Sequence, residues 1–133
     1  MSNVEPARSQ TPPRHVGVLI VDDQQPFREV AGTLVGLLPG WHVVGAVDSG
    51  EDAVRAARQT NPDLILMDMN LPGISGMEAT RQITAAQSGV LVVLVSTYAA
   101  DDLPEDALSC GAAAYVRKED LTPRALRALV SAS

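Results

Sequence analysis

A short apolar run in the middle of the chain, residues 64–67 (Leu-Ile-Leu-Met), ends at a single acid, Asp68. Pro62 lies just before this run, and Pro72-Gly73 turns the chain soon after it. An apolar run of this length between turn signals is typical of a strand that is buried on both faces. Open parallel sheets place their chemistry at the carboxyl ends of the strands. The pattern therefore predicts a central parallel strand that delivers the Asp68 carboxylate to a functional site.

Strand-like and helix-like segments alternate along the whole chain. Apolar runs typical of strands lie at residues 16–21, 41–47, 64–67, 90–95 and 113–116. Apolar residues at helical spacing lie at about 26–38, 53–59, 77–87, within 101–110, and at 122–130. This order predicts right-handed crossovers and an α/β fold, with one five-stranded parallel sheet covered by helices on both faces.

Local signals predict several helix ends. Ser75, followed by Glu78 three residues later, indicates a capping box at the start of the third helix. Gly111 is expected to close the fourth helix in a left-handed conformation. Pro104 lies within that fourth segment and removes a backbone donor, so the helix is predicted to begin late, near Leu103, or to be short.

Composition restricts the class of protein. A chain of 133 residues with 46% hydrophobic residues is long enough for one domain with its own core. A net charge of −6 argues against general nucleic-acid binding, and the single Cys110 fits a reducing cytosol. No apolar run approaches the roughly 20 residues of a membrane span. We therefore expect a cytoplasmic domain at 15–133, which contacts neither membrane nor nucleic acid directly, after a disordered extension at 1–14.

Acids and one lysine fall at the ends of the predicted strands. Asp22-Asp23 ends the first strand, Asp68 the third, Ser96 the fourth, and Lys118, the only lysine of the chain, follows the fifth. Because the carboxyl ends of parallel strands share one edge of a sheet, these side chains should converge. Clustered carboxylates repel one another, which raises their proton affinities unless a cation is bound, and their oxygens favour Mg²⁺.

This convergence suits phosphoryl transfer. A carboxylate can attack a phosphoryl group and form an aspartyl-phosphate, and the charge on the transferred group must be balanced by a metal and a fixed cation. We predict that Asp68 is the nucleophile. Lys118 suits the role of the cation, because a compact ammonium on a long stem can reach a single oxygen.

Each of these residues, taken alone, has a simpler explanation. One acid of Asp22-Asp23 could cap the first helix, and Asp68 could form a turn. A serine at a strand end, such as Ser96, is usually a loop hydroxyl, and Tyr115 could serve packing alone. The single lysine could be a chance remnant in a chain rich in arginine. Only the combination of these residues is specific.

In combination, the chain resembles the receiver domain of bacterial two-component response regulators over about residues 16–130. The motifs that carry the resemblance are Val21-Asp22-Asp23, Asp68-Met69-Asn70-Leu71-Pro72-Gly73, Ser75-Gly76, Ser96-Thr97, Gly111-Ala112-Ala113-Ala114-Tyr115 and Lys118. The resemblance implies a flavodoxin-like (βα)5 fold and a signalling phosphoprotein that is not an enzyme. It also implies Mg²⁺ ligands, namely Asp23, Asp68 and the backbone carbonyl of Asn70, with Asp22 assisting through water.

The resemblance further implies a switch. A phosphohistidine of a sensor histidine kinase would donate its phosphoryl group to Asp68, and Lys118 would contact that group. Ser96 would hydrogen-bond it, while Tyr115 would change rotamer. The surface of the fourth helix, fifth strand and last helix would then repack and meet a partner, an output domain or a second copy. A homodimer could also use the first and last helices. Asn70 and the neighbouring Tyr98 are expected to tune hydrolysis of the phosphoryl group.

Other readings stay open. Glu119-Asp120 follows the lysine where many receivers have proline, as in the subfamily that usually precedes a helix-turn-helix domain. The chain is thus expected to be a stand-alone receiver or a piece of a longer regulator. A Mg²⁺-dependent phosphohydrolase with an aspartyl-phosphate intermediate is a second possibility, although its nucleophile would be expected after the first strand. A third is a pseudo-receiver that only binds partners.

Overall fold

Strands and helices alternate in the computed structural model, which describes residues 15–97, 107 and 109–131. The elements are β1 (Val16–Val21), α1 (Gln25–Gly36), β2 (Trp41–Val47), α2 (Gly50–Thr60), β3 (Leu64–Asp68), α3 (Gly76–Ala86), β4 (Leu91–Ser96), β5 (Ala114–Arg117), a 3-10 turn (Lys118–Asp120) and α4 (Pro123–Ser131). Most of the helix predicted within 101–110, with its start near Leu103, lies outside the described residues, as does the extension at 1–14.

The five strands form one sheet in the order β2-β1-β3-β4-β5, and every neighbouring pair is parallel. The predicted parallel α/β fold is therefore confirmed. The bounds of β1 and β2 match the prediction, whereas β4 and β5 each begin one residue later than the apolar pattern indicates. None of the helices in the described part of the chain has the length and hydropathy of a membrane-spanning segment.

Helices cover both faces of the sheet, as predicted. Every residue of β1 and β3 is buried, and alternate side chains of a strand enter opposite faces. One core cluster joins the sheet to α1 and α4; its members include Val18, Ile20, Ala31, Val35, Leu66 and Leu126. The other joins the sheet to α2 and α3; its members include Leu19, Ala53, Ala57, Met67, Ala79 and Ile83. The two central strands are thus fixed from both sides.

The strand order places the carboxyl ends of the strands that precede the predicted site residues side by side. The chain passes from β1 to β2 on one side and then returns to β3 on the other, so a topological switch point lies between β1 and β3. Asp68 pairs with Val95, and Ser96 pairs with Arg117, at the carboxyl ends of β3, β4 and β5. The residues that follow these strands therefore share one edge of the sheet.

The start of α3 is fitted tightly against this edge. Ser75 is the N-cap of α3, and its hydroxyl accepts a hydrogen bond from the Glu78 amide at 3.1 Å, as the sequence predicts. A Cβ atom at Gly76 would lie 2.1 Å from the Asp68 carbonyl oxygen, so only glycine fits there. Gly111 has φ +107°, which agrees with the predicted need for glycine at that position.

Candidate functional site

The loop after β1 places its two acids in different environments. Asp22 is fully buried, whereas Asp23 is exposed. The Gln24 amide donates to Asp22 Oδ1 at 2.8 Å, and Arg28 Nη1 donates to the Asp22 carbonyl at 2.8 Å. Gln24 is the N-cap of α1 and makes no side-chain capping bond, so neither acid is the cap of this helix. The simpler explanation of the acid pair is therefore wrong.

Asp68 ends β3 and is only 4% exposed. Its Oδ1 accepts a long hydrogen bond, 3.4 Å, from the Asn70 amide. The pKa of Asp68 is raised to about 6, chiefly by burial and then by the charge of Asp22, while Lys118 and the Asn70 hydrogen bond lower it. The sequence predicts that repulsion between acids raises the proton affinity of Asp68, and the structure shows that burial raises its pKa more than repulsion does.

Lys118 lies between the two buried acids. Its Nζ is 2.6 Å from Asp22 Oδ2 and 3.9 Å from Asp68 Oδ2, and the side chain is 15% exposed. Asp22 Oδ2 makes no contact with hydrogen-bond geometry in the described part of the chain, so the ammonium reaches it as an ion pair. The same Nζ lies 4.6 Å from the centroid of the Phe27 ring, within cation–π range.

The acids form a cluster that suits a hard divalent cation. One carboxylate oxygen from each of Asp22, Asp23 and Asp68 lies within 4.8 Å of the others. Three carboxylates face one ammonium, and the charge of Asp22 contributes to the raised pKa of Asp68, so the cluster carries uncompensated negative charge. Oxygen donors that need positive charge fit Mg²⁺.

A cleft of about 200 Å³ opens beside this cluster, lined by Asp23, Gln24, Asp68, Asn70, Thr97 and Lys118. The cleft gives solvent and small groups access to the Asp68 carboxylate. Of the sequence-predicted site residues, Asp23, Asp68, Asn70 and Lys118 line the cleft, and Asp22 adjoins it through its contact with Lys118 Nζ at 2.6 Å.

Ser96 and Tyr115 are not among the residues that line the cleft. Ser96 is 1% exposed at the end of β4, one residue before the lining Thr97. Tyr115 lies on β5, half-buried against the core cluster shared with α2 and α3. Tyr98 is outside the described residues. The roles predicted for Ser96 and Tyr115 therefore stay predictions.

Several residues of the site were given no role by sequence reasoning, although Thr97 belongs to the Ser96-Thr97 motif. Gln24 and Thr97 each follow a predicted strand-end residue directly, so extending the strand-end argument by one position would have found them. Phe27 carries no sequence signal for a contact with the lysine. Glu51, at the start of α2, accepts a hydrogen bond from the Ile74 amide at 3.1 Å and so ties down the loop after β3.

Comparisons with known proteins show which family has this fold. The family model described as the response regulator receiver domain matches residues 18–131. The response regulator GacA of Pseudomonas aeruginosa is 39% identical over 103 residues, which cover 77% of this chain and 48% of GacA. The chain thus spans about half the length of the curated relatives that it matches.

Solved structures agree. A two-component response regulator of the LuxR family from Aurantimonas sp. SI85-9A1 superposes with a TM-score of 0.80 at 30% identity, covering 89% of this chain and 86% of that one. The receiver domain of a sensor histidine kinase from Pseudomonas aeruginosa PAO1, with a magnesium ion coordinated in its active-site cleft, superposes with a TM-score of 0.75 at 28% identity, covering 89% and 96%. Since the matched residues run from β1 to the end of α4, the chain belongs to the response regulator receiver domain family.

Proposed function

We propose that Asp68 accepts a phosphoryl group from the phosphohistidine of a sensor histidine kinase and that the resulting phosphoprotein is a signalling switch. The observation that carries this proposal is the position of the Asp68 carboxylate. It lies at an open cleft, 3.9 Å from the Lys118 ammonium and among carboxylate oxygens within 4.8 Å of one another. A nucleophile, a fixed cation and a set of oxygen donors are the components that phosphoryl transfer requires.

The transfer step uses the ionised form of Asp68. A carboxylate oxygen attacks the phosphorus, the new O–P bond forms, and the P–N bond to the donor imidazole breaks. The imidazole keeps the electron pair of that bond and is protonated from solvent. Because the pKa of Asp68 is about 6, the carboxyl is mostly ionised at neutral pH. Lys118 offsets the charge of the phosphoryl oxygens as it approaches them.

Asp23, Asp68 and the backbone carbonyl of Asn70 would hold Mg²⁺, with Asp22 assisting through water. When bound, the ion supplies positive charge opposite the phosphoryl oxygens. Asp22 has a second task in this chain, because its buried Oδ2 pairs with Lys118 at 2.6 Å. That ion pair holds the ammonium next to the Asp68 carboxylate, to which the phosphoryl group is transferred.

Readout begins at the residues around the cleft. The phosphoryl oxygens draw Ser96 inward through a hydrogen bond, and Tyr115 takes up the space that is released. The surface of β5, α4 and the helix predicted within 101–110 then binds a partner, a second copy or an output domain of a longer regulator. A homodimer through α1 and α4 is the other arrangement that we propose. Asn70 and Tyr98 tune the removal of the phosphoryl group by water, and the chain itself does not bind DNA.

The proposed cytoplasmic location of the chain rests on the sensor histidine kinase as the phosphoryl donor and on Cys110. Cys110 is a free, buried thiol. A protein that keeps a free thiol and receives its phosphoryl group from a sensor kinase fits the cytoplasm.

Incubation with acetyl phosphate and Mg²⁺, followed by intact mass measurement, tests the proposal. We expect one added phosphoryl group on the wild-type chain, none on Asp68→Ala, and an unchanged adduct on Glu29→Ala, which removes an exposed acid of α1 away from the cleft. Release of inorganic phosphate without any adduct would point to a phosphohydrolase. Absence of both adduct and turnover with every donor would leave a binding module and overturn the proposal.

A further inference from the structure

We infer that Phe27 is a positioning residue for the Lys118 ammonium. The ring holds the ammonium by a cation–π contact and keeps it while the ammonium shifts from Asp22 toward oxygens on Asp68. The second half of this inference rests on the proposed function, whereas the first concerns the chain as it stands.

The contact has the geometry of a real cation–π pair. Lys118 Nζ lies 4.6 Å from the ring centroid of Phe27, inside the range of about 6 Å in which the ring quadrupole attracts a cation. The lysine side chain is 15% exposed, so water screens the attraction only weakly. Among the described residues, the ammonium therefore lies close to the Asp22 carboxylate, the Asp68 carboxylate and the Phe27 ring.

The position of the ring is set independently of the lysine. The Phe27 and Arg28 amides both donate to the Gln24 carbonyl, at 3.1 and 3.2 Å, in the first turn of α1. Pro26 restricts the backbone just before the ring, and Phe27 packs against the core cluster shared with α1 and α4. The ring is thus anchored to the loop that also carries Asp22.

A neutral ring does something that a further carboxylate could not do. It attracts the charge of the ammonium through its quadrupole and is a much weaker hydrogen-bond acceptor than a carboxylate, so it competes little with oxygen atoms for the N–H donors. It also adds no charge to a cluster that already holds three acids. The ammonium is 2.6 Å from Asp22 and 3.9 Å from Asp68, so a shift of little more than 1 Å exchanges its partners over the same ring.

Nuclear magnetic resonance tests the contact directly. Lys118 is the only lysine and Phe27 the only phenylalanine, so the lysine ε-methylene protons appear at a single carbon frequency when lysine is selectively labelled. A ring beneath the ammonium shifts these protons upfield. We expect the upfield shift in the wild type and in Phe27→Tyr, and its loss in Phe27→Leu and Phe27→Met, which keep an apolar side chain. Equal shifts in the aromatic and the aliphatic variants would overturn the inference.

The same variants test the functional half. We expect the initial rate of phosphorylation by acetyl phosphate to fall about threefold to tenfold in Phe27→Leu and Phe27→Met, and to stay within about twofold in Phe27→Tyr. With beryllium trifluoride and Mg²⁺ as a phosphoryl mimic, the lysine peak should keep its upfield shift. Unchanged rates in the aliphatic variants, or loss of the shift with the mimic, would refute this half. An absent adduct on the wild type would instead refute the proposed function, while the shifts without the mimic would still decide the contact.

Discussion

The acids and the lysine reach the same cleft from strands of different character. Asp22 directly follows β1 and Asp68 ends β3, and both are interior strands whose residues are all buried. β5, which leads to Lys118, is a four-residue edge strand whose residues are all only partly buried. The two buried acids therefore lie at the ends of fully buried interior strands, whereas the cation lies at the edge of the sheet on a long side chain. This division suits the proposed switch, in which the Asp68 carboxylate stays in place and the Lys118 ammonium changes partners.

The largest expected loss of stability comes from disturbing the contact between the start of α3 and the buried end of β3. Gly76→Ala would place a Cβ 2.1 Å from the Asp68 carbonyl, so α3 and the end of β3 must move apart. We expect the free energy of unfolding to fall by about 3 kcal/mol, since overpacking against backbone cannot relax by rotamer change. Urea denaturation measures the loss.

Gly32→Ala is the matched control for this change, because a Cβ there meets nothing within 4 Å. It lies within α1, where alanine should stabilise the chain by about 0.5–1 kcal/mol. Equal effects of the two substitutions would mean that the start of α3 is not tightly fitted against Asp68.

The next effect concerns the cation. Lys118→Met leaves the fully buried Asp22 without the ammonium 2.6 Å away. We expect a loss of about 2–3 kcal/mol in Mg²⁺-free buffer, because breaking a mostly buried ion pair leaves one charge uncompensated. Asp22→Asn in the same chain should restore most of this loss, as judged by urea denaturation.

Arg117→Met provides the neighbouring comparison. Its guanidinium pairs with Glu119 at 3.0 Å, with the two side chains 36% and 66% exposed, and ion pairs that water reaches in this way contribute about 0.5 kcal/mol or less. If Lys118→Met and Arg117→Met lose the same stability, the ion pair of Lys118 with Asp22 is no stronger than one in solvent. The contrast between Lys118 and Arg117 would then be wrong.

The smallest effect is the pH dependence contributed by Asp68. Its folded-state pKa of about 6 lies above the ordinary value of 3.8, so the folded chain binds the proton more tightly than the unfolded chain. The free energy of unfolding should therefore fall as pH rises from about 4 to 6. Above about pH 6 the destabilisation by the ionised, buried Asp68 should be fully present. Asp68→Asn should be more stable than the wild type by about 1–2 kcal/mol at pH 7.5 without metal, a figure reduced for solvent screening.

Thermal unfolding across pH 4–8 checks this expectation, and the two proteins should converge near pH 4. Added Mg²⁺ should stabilise the wild type more than Asp68→Asn. A wild type that gains stability between pH 4 and 6 relative to Asp68→Asn would show that burial does not raise the pKa of Asp68.

Much of the fold was predictable from the sequence. The bounds of β1 and β2 followed from apolar runs between turn signals, and Ser75 marked the start of α3 because its hydroxyl can cap an amide. The convergence of Asp22, Asp68 and Lys118 was predictable because parallel strands end at one edge. The capping role weighed for the acid pair was wrong, since the turn at Gln24 is closed by backbone bonds.

Details of the site were not predictable in this way. Asp22 and Asp23 are neighbours in sequence, yet one is buried and the other faces the cleft, because the chain turns between the strand and α1. The sequence did not show that the lysine lies closer to Asp22 than to Asp68. The place of Phe27 depends on how α1 packs beside the cleft, which local spacing does not encode.

Periodicity and turn chemistry act over a few residues, and for this chain they were enough to determine the strand and helix order and the kind of side chain at each strand end. Distances between groups far apart in the chain depend on packing instead. The 2.6 Å contact of Lys118 with Asp22, and the ring beneath the ammonium, arise only where β1, β5 and α1 meet. Burial then raised the pKa of Asp68, because only the assembled core removes water from that carboxyl.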